Sequence, residues 1–163
     1  DVINYKDSVD RYLWVCGYGL YNKGFDAFKA GDLVTAEKFF TQILEVIPYD
    51  KNNELKRSGI SPDIITKNLY LVAKKGGDVE KQKMYLQKLI DAKFNEPVIY
   101  LSMCRIYLEQ KDTAKALGYL ESGRKLFEED TKLMEMEANI YVAQGRIDEL
   151  IAKVSEKIGR AHV

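Results

Sequence analysis

The fold is decided by residues 77–145, which read GDVEKQKMYLQKLIDAKFNEPVIYLSMCRIYLEQKDTAKALGYLESGRKLFEEDTKLMEMEANIYVAQG. Three turn positions in this stretch, Gly77, Lys111 and Gly145, follow one another at intervals of 34 residues. Each precedes a segment typical of a helix start, and this interval is typical of helix-turn-helix arrays. One further step back, with an insertion of 12 residues, reaches Gly31. The sequence therefore predicts an all-α fold of about four helical hairpins.

Local signals at the turns agree with this register. Gly31, Gly77 and Gly145 can adopt the left-handed conformation that ends a helix. Aspartates that follow three of the turns can accept hydrogen bonds from the free amides of the next helix; they are Asp32, Asp78 and Asp112. The hairpin boundaries are thus predicted from residue type as well as from the repeat.

The insertion and the two ends of the chain need separate interpretations. Tyr49 to Ile60 is polar and rich in Asn, Lys and Glu, which favours a surface excursion, and Ser61-Pro62-Asp63 is typical of a helix start. At the front, Asp7 or Ser8 is predicted to cap a long helix that ends at Ala30.

Residues 17–50 carry the clearest copy of the repeat. It has Gly24 at the small position 8, Ala36 at position 20, Phe40 at position 24 and Pro48 at position 32. In this pattern the chain resembles the tetratricopeptide repeat (TPR) family. The resemblance implies one right-handed α-α superhelix, a single TPR domain over residues 1–163. Its predicted parts are an N-terminal helix extension (1–16), repeat 1 (17–50), the insertion (51–62), repeat 2 (63–96), repeat 3 (97–130) and repeat 4 (131–163).

A narrower resemblance covers Asn68 to Phe127. The segments DAKFNEPVIY (91–100) and IYLEQKDTAKA (106–116) are similar to exported TPR proteins of Bacteroidetes. The likeness implies a periplasmic or cell-envelope location after removal of an export signal, with the cytoplasm as the alternative. Numbering that begins at Asp1 without an initiator Met is expected of a processed exported protein or of an excised fragment.

The family resemblance also implies where a partner binds. In TPR arrays the first helix of each hairpin lines a concave groove. The matching residues are Tyr18, Tyr21, Asn22, Phe25, Lys67, Asn68, Leu71, Leu101, Ser102, Arg105 and Asn139. The predicted function is a scaffold that binds a partner peptide or helix in this groove. The alternative is a structural or oligomerisation spacer whose groove is filled by its own side chains.

One TPR subclass grips acidic C-terminal tails through Lys and Asn side chains. At the places that match that clamp the chain keeps only Asn68, because Tyr21, Phe25, Val98 and Ser102 occupy the others. The groove is therefore predicted to be aromatic at its front and mixed polar behind. We expect no carboxylate clamp in this register.

Composition argues against several other classes of function. Lys plus Arg equals Asp plus Glu at 25 each, so no overall positive field would attract nucleic acid. Hydrophobic residues make up 46% of the chain, as in ordinary globular proteins. Apolar runs such as Val98 to Leu101 fall far short of the roughly 20 residues that a membrane span needs. We expect neither nucleic-acid binding nor a membrane span.

The inventory of reactive side chains argues against catalysis. His162 is the single histidine, which excludes a His-based triad or a His cluster for a metal. Cys16 and Cys104 lack Cys-x-x-Cys spacing, and we expect both to be small buried apolar residues. The sequence predicts no enzyme activity, no metal and no cofactor.

The last predicted helix carries an apolar stripe that nothing in the pattern covers. Its members are Ile147, Leu150, Ile151, Val154 and Ile158. Helical arrays need a polar cap at their ends. A second molecule, a repeat upstream or downstream, or the tail Gly159 to Val163 would have to shelter the stripe, so self-association through this helix is one expectation.

Overall fold

The computed structural model describes the backbone of residues 2–161 and the side chains of residues 8–156. Within these residues it contains nine α-helices, one 3-10 turn and no strand, which confirms the all-α prediction. The helices are α1 (Val2–Ala30), α2 (Leu33–Val46), α3 (Glu54–Arg57), α4 (Pro62–Gly76), α5 (Val79–Asp91), α6 (Pro97–Glu109), α7 (Thr113–Leu126), α8 (Thr131–Ala143) and α9 (Ile147–Ala161), and the 3-10 turn is Ile47–Tyr49.

The chain divides into two compact units, Asp1–Phe94 and Asn95–Val163. The first contains α1 to α5 and the second contains α6 to α9. A single superhelix that runs through both units stays a prediction.

The first unit is built from two helical hairpins. Helices α1 and α2 pack together across the turn at Gly31, and α4 and α5 pack together across the turn at Gly77. Both glycines have positive φ, 84° and 73°, a conformation that other residues adopt only with strain. Helix α2 also packs on α4, which joins the two hairpins.

The second unit repeats this plan. Helices α6 and α7 pair, α8 and α9 pair, and α8 contacts both α6 and α7. Gly145 closes α8 with φ 69°, and Lys111 adopts φ 60° at the equivalent turn although it is not glycine.

The predicted helix caps are confirmed. The Asp32 side chain accepts from the Thr35 amide at 3.1 Å, and the Asp112 side chain accepts from the Lys115 amide at 3.1 Å. Asp78 caps α5 and Ser61 caps α4 in the same manner. Because each cap satisfies an otherwise free backbone N–H, the helix starts are fixed by local chemistry.

Two glycines allow paired helices to approach closely. A Cβ built on Gly24 of α1 would lie 2.9 Å from Cε1 of Phe40 on α2. A Cβ built on Gly123 of α7 would lie 2.7 Å from Cβ of Tyr100 on α6. Both distances are shorter than side chains tolerate, so each hairpin requires a glycine at its point of contact.

Ala116 gives a direct test of the repeat register. Ala36 and Ala116, both at repeat position 20, are fully buried at 0% exposure, as predicted. Replacing Ala116 by Leu is expected to lower the free energy of unfolding by about 1–3 kcal/mol, because the added methyl groups overpack the contact. Urea denaturation followed by circular dichroism measures the change, and an unaltered midpoint would contradict the close packing.

The insertion differs from the predicted polar surface excursion. It contains α3, and Leu55 and Ile60 within it are buried at 0% and 1% exposure. Leu55 packs against α1 so closely that a Cβ on Gly17 would lie 2.7 Å from its Cδ2 atom. The prediction missed this anchor because two apolar residues in a polar run do not form a periodic pattern.

Two further expectations were wrong. Helix α1 begins at Val2, so Asp7 and Ser8 lie inside the helix and neither begins it. Cys16 is exposed, whereas Cys104 is buried as predicted. Cys16 lies on a part of α1 that precedes the hairpin with α2, so α2 does not cover it.

The structure limits what is known of the two chain ends and of membrane contact. His162 and the side chain of Ile158 lie outside the described residues. In the part of the chain that is described, no helix is both long enough and apolar enough to cross a bilayer.

Candidate functional site

The first helix carries a row of rings that we call the aromatic ladder: Trp14, Tyr18, Tyr21, Phe25 and Phe28. Their spacing alternates between four and three residues, which places all five on one face of an α-helix. The ladder forms because the sequence repeats aromatic residues at the helical period along α1.

Neighbouring rings of the ladder stack in pairs. Trp14 and Tyr18 have ring centroids 5.3 Å apart and an interplanar angle of 12°. Tyr21 and Phe25 have centroids 6.2 Å apart, also at 12°. Offset stacking of this kind is favourable between aromatic side chains and stiffens them. The exposed fractions of Tyr18 and Phe25 are 41% and 38%, so the ladder presents rings to solvent.

The ladder is anchored at both of its ends. At the front, the Trp14 indole Nε1 donates a hydrogen bond of 2.8 Å to Ser58 Oγ in the insertion. Further along, the Tyr21 ring meets the edge of Phe40 on α2, with centroids 6.3 Å apart. Since Phe40 is only 1% exposed, Tyr21 links the exposed rings to the core.

Two lysines lie against ladder rings. Lys29 Nζ is 4.6 Å from the Phe25 ring centroid, and Lys75 Nζ is 4.8 Å from that of Phe28. Lys75 Nζ also donates a hydrogen bond of 2.9 Å to the Phe28 carbonyl oxygen. These cation-π contacts each contribute about 0.5–1 kcal/mol at exposed sites, and they place positive charge beside the rings.

The ladder meets α4 at a small cleft, which we call the front cleft. Its walls are aromatic and aliphatic apart from one amide, and its free volume is about 10 Å³. It is lined by Phe25, Phe28, Phe40, Asn68 and Leu71. Such a volume admits about one atom of the size of a water oxygen. The front cleft is thus largely filled by the protein's own side chains.

Asn68 is the polar exception in the front cleft. Its Nδ2 atom is buried and has no hydrogen-bond acceptor among the protein atoms. A buried donor without an acceptor costs about 1–3 kcal/mol, so such groups are rare in folded proteins. Asn68 therefore offers an unused donor at the side of an aromatic surface.

A second cleft lies in the unit that contains α6 to α9, and we call it the rear cleft. It has a volume of about 350 Å³ and is open to solvent. Its lining contains no ionisable side chain and consists of Leu108, Thr113, Met136, Asn139, Ile140, Ala143 and Gln144. A mostly apolar cleft of this size with a few amides matches ordinary ligand sites.

The two clefts occupy equivalent places in the predicted repeats. In each unit, position 12 of one predicted repeat and positions 6 and 9 of the next line the cleft. These residues are Phe28, Asn68 and Leu71 in the first unit, and Leu108, Met136 and Asn139 in the second. The same register thus forms a filled cleft where aromatics occupy it and an open one where they do not.

The predicted site residues divide between the units. Tyr18, Tyr21, Phe25, Asn68 and Leu71 belong to the ladder or the front cleft. In the same unit, Asn22 is exposed and Lys67 Nζ lies 5.8 Å from the Phe94 ring centroid.

The second unit holds the remaining predicted residues. Asn139 lines the rear cleft, Arg105 is exposed and Ser102 is half-buried. Leu101 differs from the prediction, because its side chain is only 3% exposed and belongs to the core. The resemblance placed it on a groove-facing position, but α6 is buried on several sides and its helical pattern alone does not separate the two roles.

Sequence reasoning missed Trp14 as a member of the site. It was assigned to the N-terminal extension, outside the first repeat. The signal that could have found it is the spacing of four residues between Trp14 and Tyr18, which continues the aromatic period of the repeat toward the N-terminus.

Reactive chemistry has little support in the described residues. No group of three or more His, Cys, Asp and Glu side chains in that part of the chain could hold a metal ion. Burial raises the pKa of the Cys104 thiol to about 11, against a smaller opposing effect of Arg105. The thiol is therefore protonated near neutral pH and is a poor nucleophile.

Together these features describe an all-α protein of helical hairpins with one filled and one open cleft. A scan against protein-family models gives no match to the chain, and a search of curated proteins gives none either.

Proposed function

We propose that the chain is a TPR-type helical-repeat protein that binds a partner polypeptide through the first helices of its hairpins. The observation that carries the proposal is the recurrence of a cleft at repeat positions 12, 6 and 9 in both units. In a repeat protein, equivalent surfaces of successive units bind successive parts of an extended partner. The role is interaction rather than catalysis.

The TPR assignment draws support from the packing positions. Small residues at positions 8 and 20 lie where helices approach most closely, as with Gly24 and Ala36. Position 24 is Phe40, Leu86 and Leu120 in the first three repeats, and each is at most 1% exposed. A right-handed superhelix and a periplasmic or envelope location belong to the same proposal and rest on the sequence resemblance.

The ladder supplies the side chains that bind partners most strongly. Aromatic residues dominate the energetics of protein interfaces when a partner covers them. Phe25 and Tyr18 are partly exposed, and stacking already holds their rings in place. A partner that covers them loses little side-chain freedom at the interface.

The proposal is tested with peptides selected from a random display library against the wild-type protein. Tyr21→Ala together with Phe25→Ala is expected to weaken binding of the selected peptides by more than about tenfold, because both rings lose contact with the peptide. Isothermal titration calorimetry measures affinity, and circular dichroism checks helicity. The matched control is Tyr49→Ala, since Tyr49 is aromatic, 66% exposed and outside the ladder.

The competing function is a spacer whose groove is self-filled. It is favoured by the edge contact of Tyr21 with Phe40 and by the small free volume of the front cleft. If the double variant unfolds, these aromatics belong to the core and the spacer function is preferred. A molar mass that rises with protein concentration would support the oligomerisation form of that alternative.

A further inference from the structure

The part of the site with an unmet chemical need is the front cleft. Asn68 Nδ2 needs a hydrogen-bond acceptor, and the other lining side chains are Phe25, Phe28, Phe40 and Leu71, none of which can provide one. The free volume of about 10 Å³ fits a single oxygen atom. A partner that suits this cleft therefore brings a carbonyl oxygen to Asn68 and apolar surface to the rings.

We propose that the aromatic ladder binds a proline-rich segment in the polyproline II conformation, with one of its carbonyl oxygens accepting from Asn68 Nδ2. This inference rests on the proposed function and names the partner class for the same site. Proline residues present carbonyl acceptors but no N–H donors. Such a segment therefore buries no amide N–H that the aromatic walls would leave without an acceptor.

The dimensions of the ladder match this partner. Its two stacked pairs, Trp14 with Tyr18 and Tyr21 with Phe25, are related by seven residues of α-helix. Seven residues span about 10.5 Å along the helix axis. One turn of polyproline II spans about 9.3 Å. Successive turns of a proline-rich segment would thus meet successive ring pairs.

Energetic considerations also favour a polyproline II partner over a flexible one. A proline-rich segment is already extended before binding, so little conformational entropy is lost. The ladder is likewise held by stacking, by the bond from Trp14 to Ser58 and by the contact of Tyr21 with Phe40. Two preorganised surfaces lose less freedom on association than two flexible ones.

The probe for this inference is a capped decaproline peptide, titrated to millimolar concentration. Trp14 is the only tryptophan of the chain, so its fluorescence reports on the ladder directly. Decaproline is expected to change the Trp14 emission saturably. A capped Gly-Ser peptide of equal length and a capped amphipathic Leu-Lys helix are the comparison peptides, and neither is expected to reach saturation.

Variants then assign the contacts. Phe25→Ala is expected to weaken decaproline binding by more than about fivefold, and Asn68→Leu by about tenfold through loss of the donor. Asn68→Leu removes a buried unpaired group, so its thermal midpoint should be unchanged or higher than that of the wild type. Affinity that falls while stability does not fall is a readout that a structural role would not produce. Tyr49→Ala is again the control.

The outcomes separate this inference from the proposed function. If the Leu-Lys helix saturates the Trp14 signal and decaproline does not, the polyproline assignment is wrong while partner binding stands. If no peptide changes the emission, or if Asn68→Leu binds decaproline as the wild type does, the assignment is also wrong. The library selection described above tests the proposed function independently. Emission that changes with protein concentration alone would instead identify a second copy of the chain as the occupant.

Discussion

Replacing Glu137 by Leu is expected to lower the free energy of unfolding by about 3–5 kcal/mol, because it leaves buried cationic groups without their anionic partner. The Glu137 side chain is 9% exposed and that of Arg124 is 10% exposed, with Arg124 Nε 3.3 Å from Glu137 Oε2. Lys153 forms a second ion pair with Glu137. Urea denaturation followed by circular dichroism measures the loss.

The reason for the large effect is that one carboxylate joins three helices. Arg124 lies on α7, Glu137 on α8 and Lys153 on α9. Burial lowers the pKa of Lys153, but the hydrogen bond to Glu137 and the surrounding negative charges outweigh it, so the pKa lies above its ordinary value. Lys153 therefore stays charged, and removal of Glu137 cannot be relieved by deprotonation at neutral pH.

The matched control is Glu149→Leu. Glu149 pairs with Arg146 at 2.6 Å, but the two side chains are 59% and 36% exposed. Exposed pairs contribute at most about 1 kcal/mol, so this variant should remain close to the wild type. Adding Arg124→Met to Glu137→Leu should recover part of the loss, because no buried guanidinium is then left unpaired. Equal effects of Glu137→Leu and Glu149→Leu would contradict this account.

Replacing Phe40 by Ala is also expected to destabilise the chain strongly, by about 3–5 kcal/mol, because it removes a fully buried ring. Phe40 is 1% exposed, contacts the position of Gly24 on α1 and supports the ring of Tyr21. Trp14 lies in the same unit, so the denaturation midpoint reported by its fluorescence should fall.

The control for Phe40→Ala lies on the same helix. Val34 of α2 is 80% exposed, and Val34→Ala should change the free energy of unfolding by no more than about 0.5 kcal/mol. Phe40→Ala should also weaken peptide binding under conditions where it stays folded, since Phe40 forms the floor of the front cleft. A variant that retains both stability and binding would show that Phe40 is not the base of the ladder.

The candidate site was only partly accessible to sequence reasoning. Periodicity places Tyr18, Tyr21, Phe25 and Asn68 on first helices of predicted hairpins, and the first unit brings them to the ladder and the front cleft. The same reasoning placed Leu101 there, whereas that side chain is buried. A helical pattern gives the face of a residue, but the neighbouring helices decide whether that face is covered.

The sequence by itself determined the helices and their turns, because their causes are local. Gly31 and Gly77 permit positive φ, and Asp32, Asp78 and Asp112 satisfy free amides within three residues of themselves. Such interactions form between near neighbours and do not depend on the rest of the fold.

Only the tertiary structure decided which side chains are covered and which polar groups lack partners. Leu55 is buried because it packs against α1 at Gly17, and Cys16 is exposed because α2 does not extend along that part of α1. Asn68 Nδ2 is left without an acceptor because aromatic and aliphatic groups from α1, α2 and α4 surround it. Burial and unmet hydrogen bonding depend on residues distant in sequence, so no local pattern encodes them.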